Sequence, residues 1–347
     1  MTKVMEITKD RFGSAFDGTP VDIITISNSS GITLQCMSYG ATLVSLKMPG
    51  RDGKLSDLVL GFDSFDDYLK PHPYLGATIG RVAGRISKAQ FSIGPRTFTL
   101  ERNDGSNHLH GGRNGFDKVI WTPRIFGDGD EVGVTFSRTS PDGEEGYPGK
   151  LDVEVTYALN DRNELAIRYR AESSKATPVN LTNHTYWNLG GNGSILNHKL
   201  RINSKKYLPV DDNTIPMGDI LETDGTPMDF SSAHPIGRDI KLVPGGYDHC
   251  YVLPEAETRL RPAAILNHPE SGRTMEVYTT KPGLQLYTAN KLRDVVGKHG
   301  IHYGKHSGVC LETMYFPDSV NQHDFPGIIL RPKEEYHHET VHRFSIR

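Results

Sequence analysis

Apolar and polar residues alternate with a period of two along much of this chain. Every second residue is apolar in the segments 150–159 (KLDVEVTYAL) and 164–173 (ELAIRYRAES), and the turn-forming residues NDRN link the two. Because successive side chains of a strand point to opposite faces, this pattern predicts an antiparallel hairpin with one buried face. Three further segments predict strands in the same way, and these are EVGVTFSR (131–138), RTMEVYTT (273–280) and HRFSIR (342–347).

Apolar residues at the spacing of an α-helix are much rarer in this chain than the period-two pattern. The clearest case is DSFDDYL, where Ser64 is placed to cap a short turn that carries Phe65, Tyr68 and Leu69. The 36 glycines and 21 prolines among 347 residues favour many turns between short strands. No linker, repeat or low-complexity tract divides the chain. We therefore predict one all-β domain over residues 1–347, a large antiparallel β-sandwich with few short helices.

Charge and cysteine content narrow the range of partners. The 39 lysines and arginines against 42 aspartates and glutamates give a net charge of −3 without a basic block, so nucleic acid is not an expected partner. No apolar run approaches the ~20 residues that span a bilayer, and the polar N-terminal segment lacks a signal-peptide core. Three widely spaced cysteines, Cys36, Cys250 and Cys310, do not form a disulfide framework. These features predict a cytoplasmic protein with reduced thiols that does not contact membranes.

Polar clusters recur along the chain, each combining glycine with charged, histidine, amide or aromatic residues. One such cluster usually marks a turn, but several on an all-β scaffold indicate loops and strand ends that converge on a cleft. The clusters are GRVAGR (80–85), NHLHGG (107–112), DGEEGYPG (142–149), NHTYWNLGG (183–191), GGYDHC (245–250), GLQLYTAN (283–290) and KHSGVCLETMYFPDSVNQ (305–322).

The HLH motif places two histidines on one face if it forms a strand. Histidines on one face can ligate a metal, but no HExxH, CxxC or spaced carboxylate accompanies them. We expect a structural role for His108. His110 is followed by Gly111 and Gly112, where the backbone can approach a ligand closely, so we expect it to face a ligand.

Three other clusters leave alternatives open. His184 is either a half-buried histidine with satisfied hydrogen bonds or a catalytic residue. Glu312, in VCLETMYF, is either a strand residue that faces solvent or a buried carboxyl with a raised pKa, which suits a general base. Asp248 fits an Asx turn. Tyr186 and Trp187 either pack against the apolar face of a ligand or fill the core.

Eight motifs span nearly the whole chain, and these are GRVAGRI, LHGGRNGFDKVIW, SPDGEEGYPG, PVNLTNHTYWNL, YLPVDDNTIPMGDI, GYDHCYVL, VYTTKPGLQLYTAN and HSGVCLETMYFPDSVNQ. In this order they resemble the galactose mutarotase (aldose 1-epimerase) family. The resemblance implies a galactose mutarotase-like supersandwich with its cleft on one sheet. It also implies an isomerase that interconverts the α and β anomers of galactose and glucose. Such proton transfers need no cofactor and no metal, and we expect a monomer.

The resemblance also implies roles for individual residues. Those residues are Glu312 as general base, His184 as general acid, His110 as a second active-site histidine, Arg85 and Asp248 as residues that hold sugar hydroxyls, and Gln285 as a further lining residue. We expect Glu312 to be ionised and His184 protonated, because nearby negative charges raise the pKa of a histidine. One departure is Gly84, where many relatives carry Asn, so one hydrogen bond to the sugar is expected to be missing or made by water.

Three rival functions stay open from the sequence. A hexose-6-phosphate 1-epimerase shares the scaffold but needs extra cations for the phosphate, and the matched clusters offer only Arg81, Arg85 and Lys305. A non-catalytic carbohydrate-binding module would not need an acid and base pair. A glycosidase needs two facing carboxylates, which Glu312 and Asp248 could supply.

Overall fold

The computed structural model describes residues 5–254 and 259–347. Strands dominate it and form a nine-stranded sheet, two five-stranded sheets and five two-stranded pairs. The single α-helix of this part of the chain, α1, covers Phe65–Tyr68. None of the helices within the described ranges is long and apolar enough to cross a membrane.

The strands of the described residues are as follows in chain order. They are β1 (Glu6–Ser14), β2 (Pro20–Ser27), β3 (Thr33–Met37), β4 (Thr42–Pro49), β5 (Leu55–Asp57), β6 (Thr78–Ile79), β7 (Arg85–Ile86), β8 (Gln90–Ile93), β9 (Arg96–Thr99), β10 (His108–Leu109), β11 (Thr122–Asp128), β12 (Glu131–Ser140), β13 (Leu151–Asn160), β14 (Glu164–Ser173), β15 (Thr177–Pro178), β16 (Thr182–Asn183), β17 (Lys199–Ile202), β18 (Lys206–Tyr207), β19 (Leu221–Glu222), β20 (His234–Pro235), β21 (Asp248–Val252), β22 (Arg261–Asn267), β23 (Arg273–Thr279), β24 (Gly283–Tyr287), β25 (Val295–Val296), β26 (His302–Tyr303), β27 (Cys310–Met314), β28 (Ile329–Leu330) and β29 (Glu335–Ile346).

The nine-stranded sheet contains the strands that the alternating pattern predicted. Its order is β11-β12-β13-β14-β29-β23-β22-β17-β20, with antiparallel neighbours throughout. The predicted hairpin is confirmed, since β13 pairs with β14 from Leu151 opposite Ser173 to Leu159 opposite Leu165. Its alternate residues are buried, as the pattern requires, because one face of the hairpin packs on the core.

A continuous apolar core joins this sheet to the two others. One buried cluster contains Ile24 from the N-terminal sheet β1-β2-β3-β4-β5, Val155 from the nine-stranded sheet, and Leu284 and Leu311 from the sheet β19-β18-β21-β24-β27. Sheets that share one core in this way form a sandwich. The predicted large antiparallel β-sandwich is therefore confirmed. We call β19-β18-β21-β24-β27 the cleft sheet, because its strands carry the residues described in the next section.

The short predicted turn at DSFDDYL is also present, with one difference. Ser64 occupies the N-cap position of α1, and Phe65 and Tyr68 are buried as expected. The Ser64 hydroxyl, however, donates to the Asp67 carboxylate at 2.7 Å and does not accept from a backbone N–H of the helix. A helix of one turn leaves the Asp67 side chain within reach of the serine, and a hydrogen bond to a carboxylate is a strong one.

Arg81, the first arginine of GRVAGR, holds a loop together inside the protein. It is 2% exposed. Its guanidinium donates to the backbone carbonyls of Ser140 and Pro141 at 3.1 and 2.8 Å, and to those of Pro148 and Gly149 at 3.1 and 2.8 Å. Arg81 thus satisfies buried acceptors at both ends of the loop that carries DGEEGYPG. It takes no part in the cleft.

We expect Arg81→Met to lower the free energy of unfolding by at least about 3 kcal/mol, because several buried carbonyls lose their donor at about 1–3 kcal/mol each. Denaturant unfolding measures the loss. Arg96→Met removes an exposed arginine on a surface hairpin and should stay within about 0.5 kcal/mol of the parent protein. If Arg81→Met and Arg96→Met had the same free energy of unfolding, the role of Arg81 in holding this loop would be contradicted.

Candidate active site

Three neighbouring strands of the cleft sheet bring carboxyl and amide side chains together. Gln285 on β24 lies directly opposite Glu312 on β27 and, on its other side, opposite Cys250 on β21. Asp248 lies two residues from Cys250, so it presents its side chain on the same face. The Gln285 amide donates to Asp248 Oδ1 at 2.7 Å, which fixes both side chains.

His184 enters the cleft from the chain immediately after β16. Its backbone N–H donates to Ala77 at 2.9 Å, and its carbonyl accepts from Gly76 at 3.0 Å. Its ring stacks with the rings of Tyr74 and Tyr186, at centroid distances of 5.8 and 5.0 Å. Backbone pairing and stacking with two aromatic rings therefore hold the imidazole in one orientation.

Each nitrogen of the His184 ring has a different neighbour. Nε2 lies 3.7 Å from Glu312 Oε1, and Nδ1 lies 3.5 Å from the Cys310 sulfur. His184 is 5% exposed and Glu312 is 3% exposed. The structure therefore buries a carboxyl group and an imidazole side by side at the floor of the cleft.

The pKa values of Glu312 and His184 differ from the expectation that Glu312 is ionised and His184 protonated. Burial, and then the charge of Asp248, raises the pKa of Glu312 well above its usual range. Burial lowers the pKa of His184 to about 4. The expectation that nearby carboxylates raise the pKa of His184 is therefore wrong, because desolvation of the ring lowers this pKa and is the largest effect on it.

His110 faces the same cleft through an unusual backbone conformation. Its φ is 52°, in the left-handed region that histidine adopts more readily than most residues. Its N–H donates to the Gly84 carbonyl at 3.0 Å, and Gly84 N–H donates to His110 Nδ1 at 3.2 Å. Because Nδ1 accepts, the neutral ring carries its proton on Nε2. Burial, and then the neighbouring His184, lowers the pKa of His110 well below its usual range, so the ring is a neutral donor.

Arg85 is held by an acidic partner that the sequence did not reveal. Arg85 Nε donates to Asp104 Oδ2 at 2.7 Å, and β7 pairs with β10 so that Arg85 lies opposite Leu109. Asp104 stands before Gly105 in a surface turn, a position in which aspartate is common for local reasons. The contact uses Nε, so Asp104 orients the guanidinium without engaging its two Nη groups.

These side chains line one cavity of about 230 Å³. All six residues implied by the resemblance face it, and these are Arg85, His110, His184, Asp248, Gln285 and Glu312. The structure adds lining residues that the sequence did not single out as ligand-facing, among them Pro73, Tyr74, Asp104, Tyr287 and Lys291. Apolar side chains such as Leu208, Val210 and Met314 form much of the remaining wall, which suits a small ligand with both hydroxyl groups and C–H faces.

Two buried acceptors in the cavity have no partner among the described residues, Glu312 Oε2 and Gln285 Oε1. An unsatisfied buried oxygen is costly, so its presence in a native structure calls for an explanation. A ligand with several hydroxyl groups would supply the missing donors.

Gly84 leaves an apolar patch in the cavity wall. A Cβ at this position would lie 3.1 Å from Met314 Cε and 3.2 Å from Pro317 Cβ. Where many relatives carry an Asn side chain, this protein therefore has Gly84 next to the hydrocarbon atoms of Met314 and Pro317. Residue 84 offers no side-chain hydrogen bond to a ligand.

Two other residues considered from the sequence, His108 and Trp187, lie outside the cavity lining. His108 is fully buried, with Nδ1 2.7 Å from the Glu101 carbonyl and its ring edge against Tyr147, as a structural role requires. Trp187 packs on His342 and Phe344, so it belongs to the core, whereas Tyr186 lines the cavity. His110 turns away from the strand at Leu109, so HLH does not form one metal-binding face.

One group of three possible metal ligands is present among the described residues. Its members, His184, Cys310 and Glu312, offer ligand atoms within 4.8 Å of one another. Burial raises the pKa of the Cys310 thiol well above its usual range. Since metals bind the thiolate, this group is a poor ligand set until the thiol loses its proton.

Comparison with known proteins agrees with this geometry. The family model for aldose 1-epimerase matches residues 22–343. The chain belongs to the aldose 1-epimerase family. It is 44% identical to galactose mutarotase of Sus scrofa over 347 residues, covering 99% of this chain and 100% of the relative. It is 38% identical to aldose 1-epimerase of Escherichia coli K12, covering 94% and 96%.

The fold comparison supports the same family. The crystal structure of galactose 1-epimerase from Lactobacillus acidophilus superposes with a TM-score of 0.87 at 31% identity, covering 99% of both chains. The similarity extends over the complete aldose 1-epimerase fold and is not confined to the cleft.

Proposed function

We propose that this protein is an aldose 1-epimerase that interconverts the α and β anomers of D-galactose and D-glucose by acid and base catalysis. Glu312 is the general base and His184 the general acid. The observation that carries the proposal is the 3.7 Å separation of Glu312 Oε1 and His184 Nε2 on the floor of a cavity of about 230 Å³. The names and near-complete coverage of the relatives support the substrate class.

The close approach of the two groups suits the chemistry of an anomeric centre. Ring opening removes a proton from the O1 hydroxyl and adds one to the ring oxygen O5. Both oxygens are bonded to C1, so they lie closer together than a hydrogen-bond length. An acid and a base that are neighbours, as Glu312 and His184 are, can therefore serve them at the same time.

The pair carries one proton through the whole cycle. Ring opening starts from the arrangement in which this single proton has passed from Glu312 to His184 Nε2. Glu312 then takes the O1 proton and His184 Nε2 gives its proton to O5, so the carboxylate and imidazolium become a carboxylic acid and an imidazole. After rotation about C1–C2, His184 takes the proton back from O5 and Glu312 returns one to O1. The raised pKa of Glu312 and the lowered pKa of His184 both stabilise the neutral arrangement that follows ring opening.

Residues away from the pair hold the sugar while C1 rotates. Arg85, oriented by Asp104, offers its Nη groups to distal hydroxyls, and Asp248 with Gln285 offers oxygen acceptors. His110 donates from Nε2 as a neutral ring. Such contacts hold the sugar by its distal hydroxyl groups and transfer no proton to it. The anomeric carbon C1 therefore stays free to rotate.

The charges of the cavity argue against a phosphorylated substrate. Its lining cations are Arg85 and Lys291, and Arg85 is already paired with Asp104. Arg81 is buried in contact with backbone carbonyls, and Lys305 is exposed outside the lining. With Asp248 also present, the site favours a neutral sugar over a phosphate ester.

The proposal extends to the organisation of the protein. We treat residues 1–347 as one catalytic domain and expect it to act as a monomer. Cys36, Cys250 and Cys310 are buried free thiols, which supports a reducing cytoplasmic compartment.

We expect Glu312→Gln to slow mutarotation by about 10²–10⁴-fold, because the amide keeps the shape of the side chain but accepts no proton. Polarimetry of freshly dissolved α-D-galactose measures the rate. Glu154→Gln, on β13 of the nine-stranded sheet, is the matched control and should retain the parent rate. A folded Glu312→Gln protein with the parent rate would remove Glu312 from the mechanism.

We expect a bell-shaped dependence of kcat/KM on pH. The pair works with one proton, so activity falls in acid when it binds a second and falls in alkali when it loses the last. The lowered pKa of His184 places the acid limb near pH 4, and the raised pKa of Glu312 places the alkaline limb well above the usual range of a glutamate. Polarimetry with the spontaneous rate subtracted at each pH gives the profile. An acid limb near pH 6.5, the ordinary pKa of histidine, would show that burial does not govern the pair.

A further inference from the structure

Cys310 lies against the nitrogen of His184 that does not face Glu312. It is two residues before Glu312 on β27, so the alternation of a strand presents both side chains on the same face. Its sulfur is 3.5 Å from His184 Nδ1, and its side chain is 0% exposed. The sulfur is therefore within hydrogen-bond distance of Nδ1.

The proposed cycle sets a requirement for Nδ1. Nε2 must give a proton to O5 and later take it back, so in the neutral ring Nε2 must hold a lone pair. The proton of the neutral ring must then remain on Nδ1. A ring in the other tautomer would carry its proton on Nε2 and could not take one from the sugar.

We propose that Cys310 is a positioning residue for His184: its sulfur accepts the Nδ1–H hydrogen bond and thereby keeps Nε2 as the nitrogen that exchanges the proton. This inference rests on the proposed function of His184. It assigns Cys310 an effect through the imidazole and no contact with the sugar.

A neutral sulfur suits this task better than the carboxylate often found behind a catalytic histidine. A carboxylate would stabilise the imidazolium and hold the proton on the ring. Burial raises the pKa of the Cys310 thiol well above its usual range, so the group stays uncharged. The sulfur is a weak acceptor that selects a tautomer without attracting a positive charge.

The competing explanation is that Cys310 only fills space, since it also packs in a core cluster with Tyr186 and Leu60. Cys36 provides the matched control, because it is equally buried, lies in the N-terminal sheet and is absent from the cavity lining. Removing either sulfur leaves a similar cavity, whereas only Cys310 contacts His184.

The deciding experiment is NMR of protein labelled with nitrogen-15 histidine, at neutral pH where the His184 ring is uncharged. The signals of His184 are those absent from the spectrum of His184→Asn. We expect protonated Nδ1 and unprotonated Nε2 in the parent protein and in Cys36→Ala, and a shift toward protonated Nε2 in Cys310→Ala.

The kinetic arm measures kcat and KM by polarimetry. Loss of one weak hydrogen bond in Cys310→Ala should lower kcat by about three- to tenfold with KM unchanged, and Cys310→Ser, which restores an acceptor, should recover part of the loss. Protonated Nε2 in the neutral parent protein would overturn the inference, as would an unchanged tautomer and kcat in Cys310→Ala. If Cys310→Ala does not fold, the parent spectrum alone decides the tautomer.

Failure of this inference is distinguishable from failure of the proposed function. Full activity in His184→Asn would remove His184 as the general acid, whatever its tautomer. An inactive His184→Asn together with protonated Nε2 in the parent would leave the proposed function in place and remove only the role of Cys310.

Discussion

The burial of a carboxyl group beside an imidazole is the constraint on which the rest of the cleft depends. Taking an ionisable group out of water costs several kcal/mol unless partners compensate, and Glu312 and His184 are both almost completely buried. The fold holds the two groups in place from two directions. Strand pairing between β24 and β27 holds Glu312, while backbone bonds and two stacked tyrosines hold His184. Neither side chain can move away from the other without disrupting this support.

The electrostatic balance of the cleft follows from the same burial. Desolvation disfavours the charged form of each partner, so burial shifts the pair from the ionised arrangement that free side chains would adopt toward the neutral one. The proposed reaction passes between these two arrangements while the pair keeps a single proton. The surrounding groups add little net charge to the cavity, since Arg85 is paired with Asp104 and His110 is neutral. Such a cavity suits an uncharged, hydroxyl-rich substrate.

The sequence predicted the outer strands better than the strands that carry the cleft. The hairpin of β13 and β14 was predictable because a strand with one exposed face alternates apolar and polar residues. All five residues of β27 are buried, so no alternation could show which way Glu312 points. The motif order of the aldose 1-epimerase family, and not local pattern, brought the six cleft residues forward. Even so, their roles stay predictions until they are tested.

Contacts between distant segments explain what the sequence missed. Asp104 looked like an ordinary turn residue, and its importance lies in a bond to Arg85 on another strand. Tyr74 gave no signal, because only the folded chain stacks it on His184. The pKa of His184 was expected to rise because charges are visible in a sequence, whereas the burial that lowers it is a property of the fold. Trp187 could be assigned to the core only from its neighbours.

A crystal structure with bound D-galactose tests the central claim most directly, since it shows which sugar atoms meet the buried pair. We expect O5 within hydrogen-bond distance of His184 Nε2 and O1 within hydrogen-bond distance of Glu312, with the distal hydroxyls near Arg85 and Asp248. A sugar bound in the reverse direction, with C1 at Arg85 and a distal hydroxyl at Glu312, would contradict the acid and base assignment.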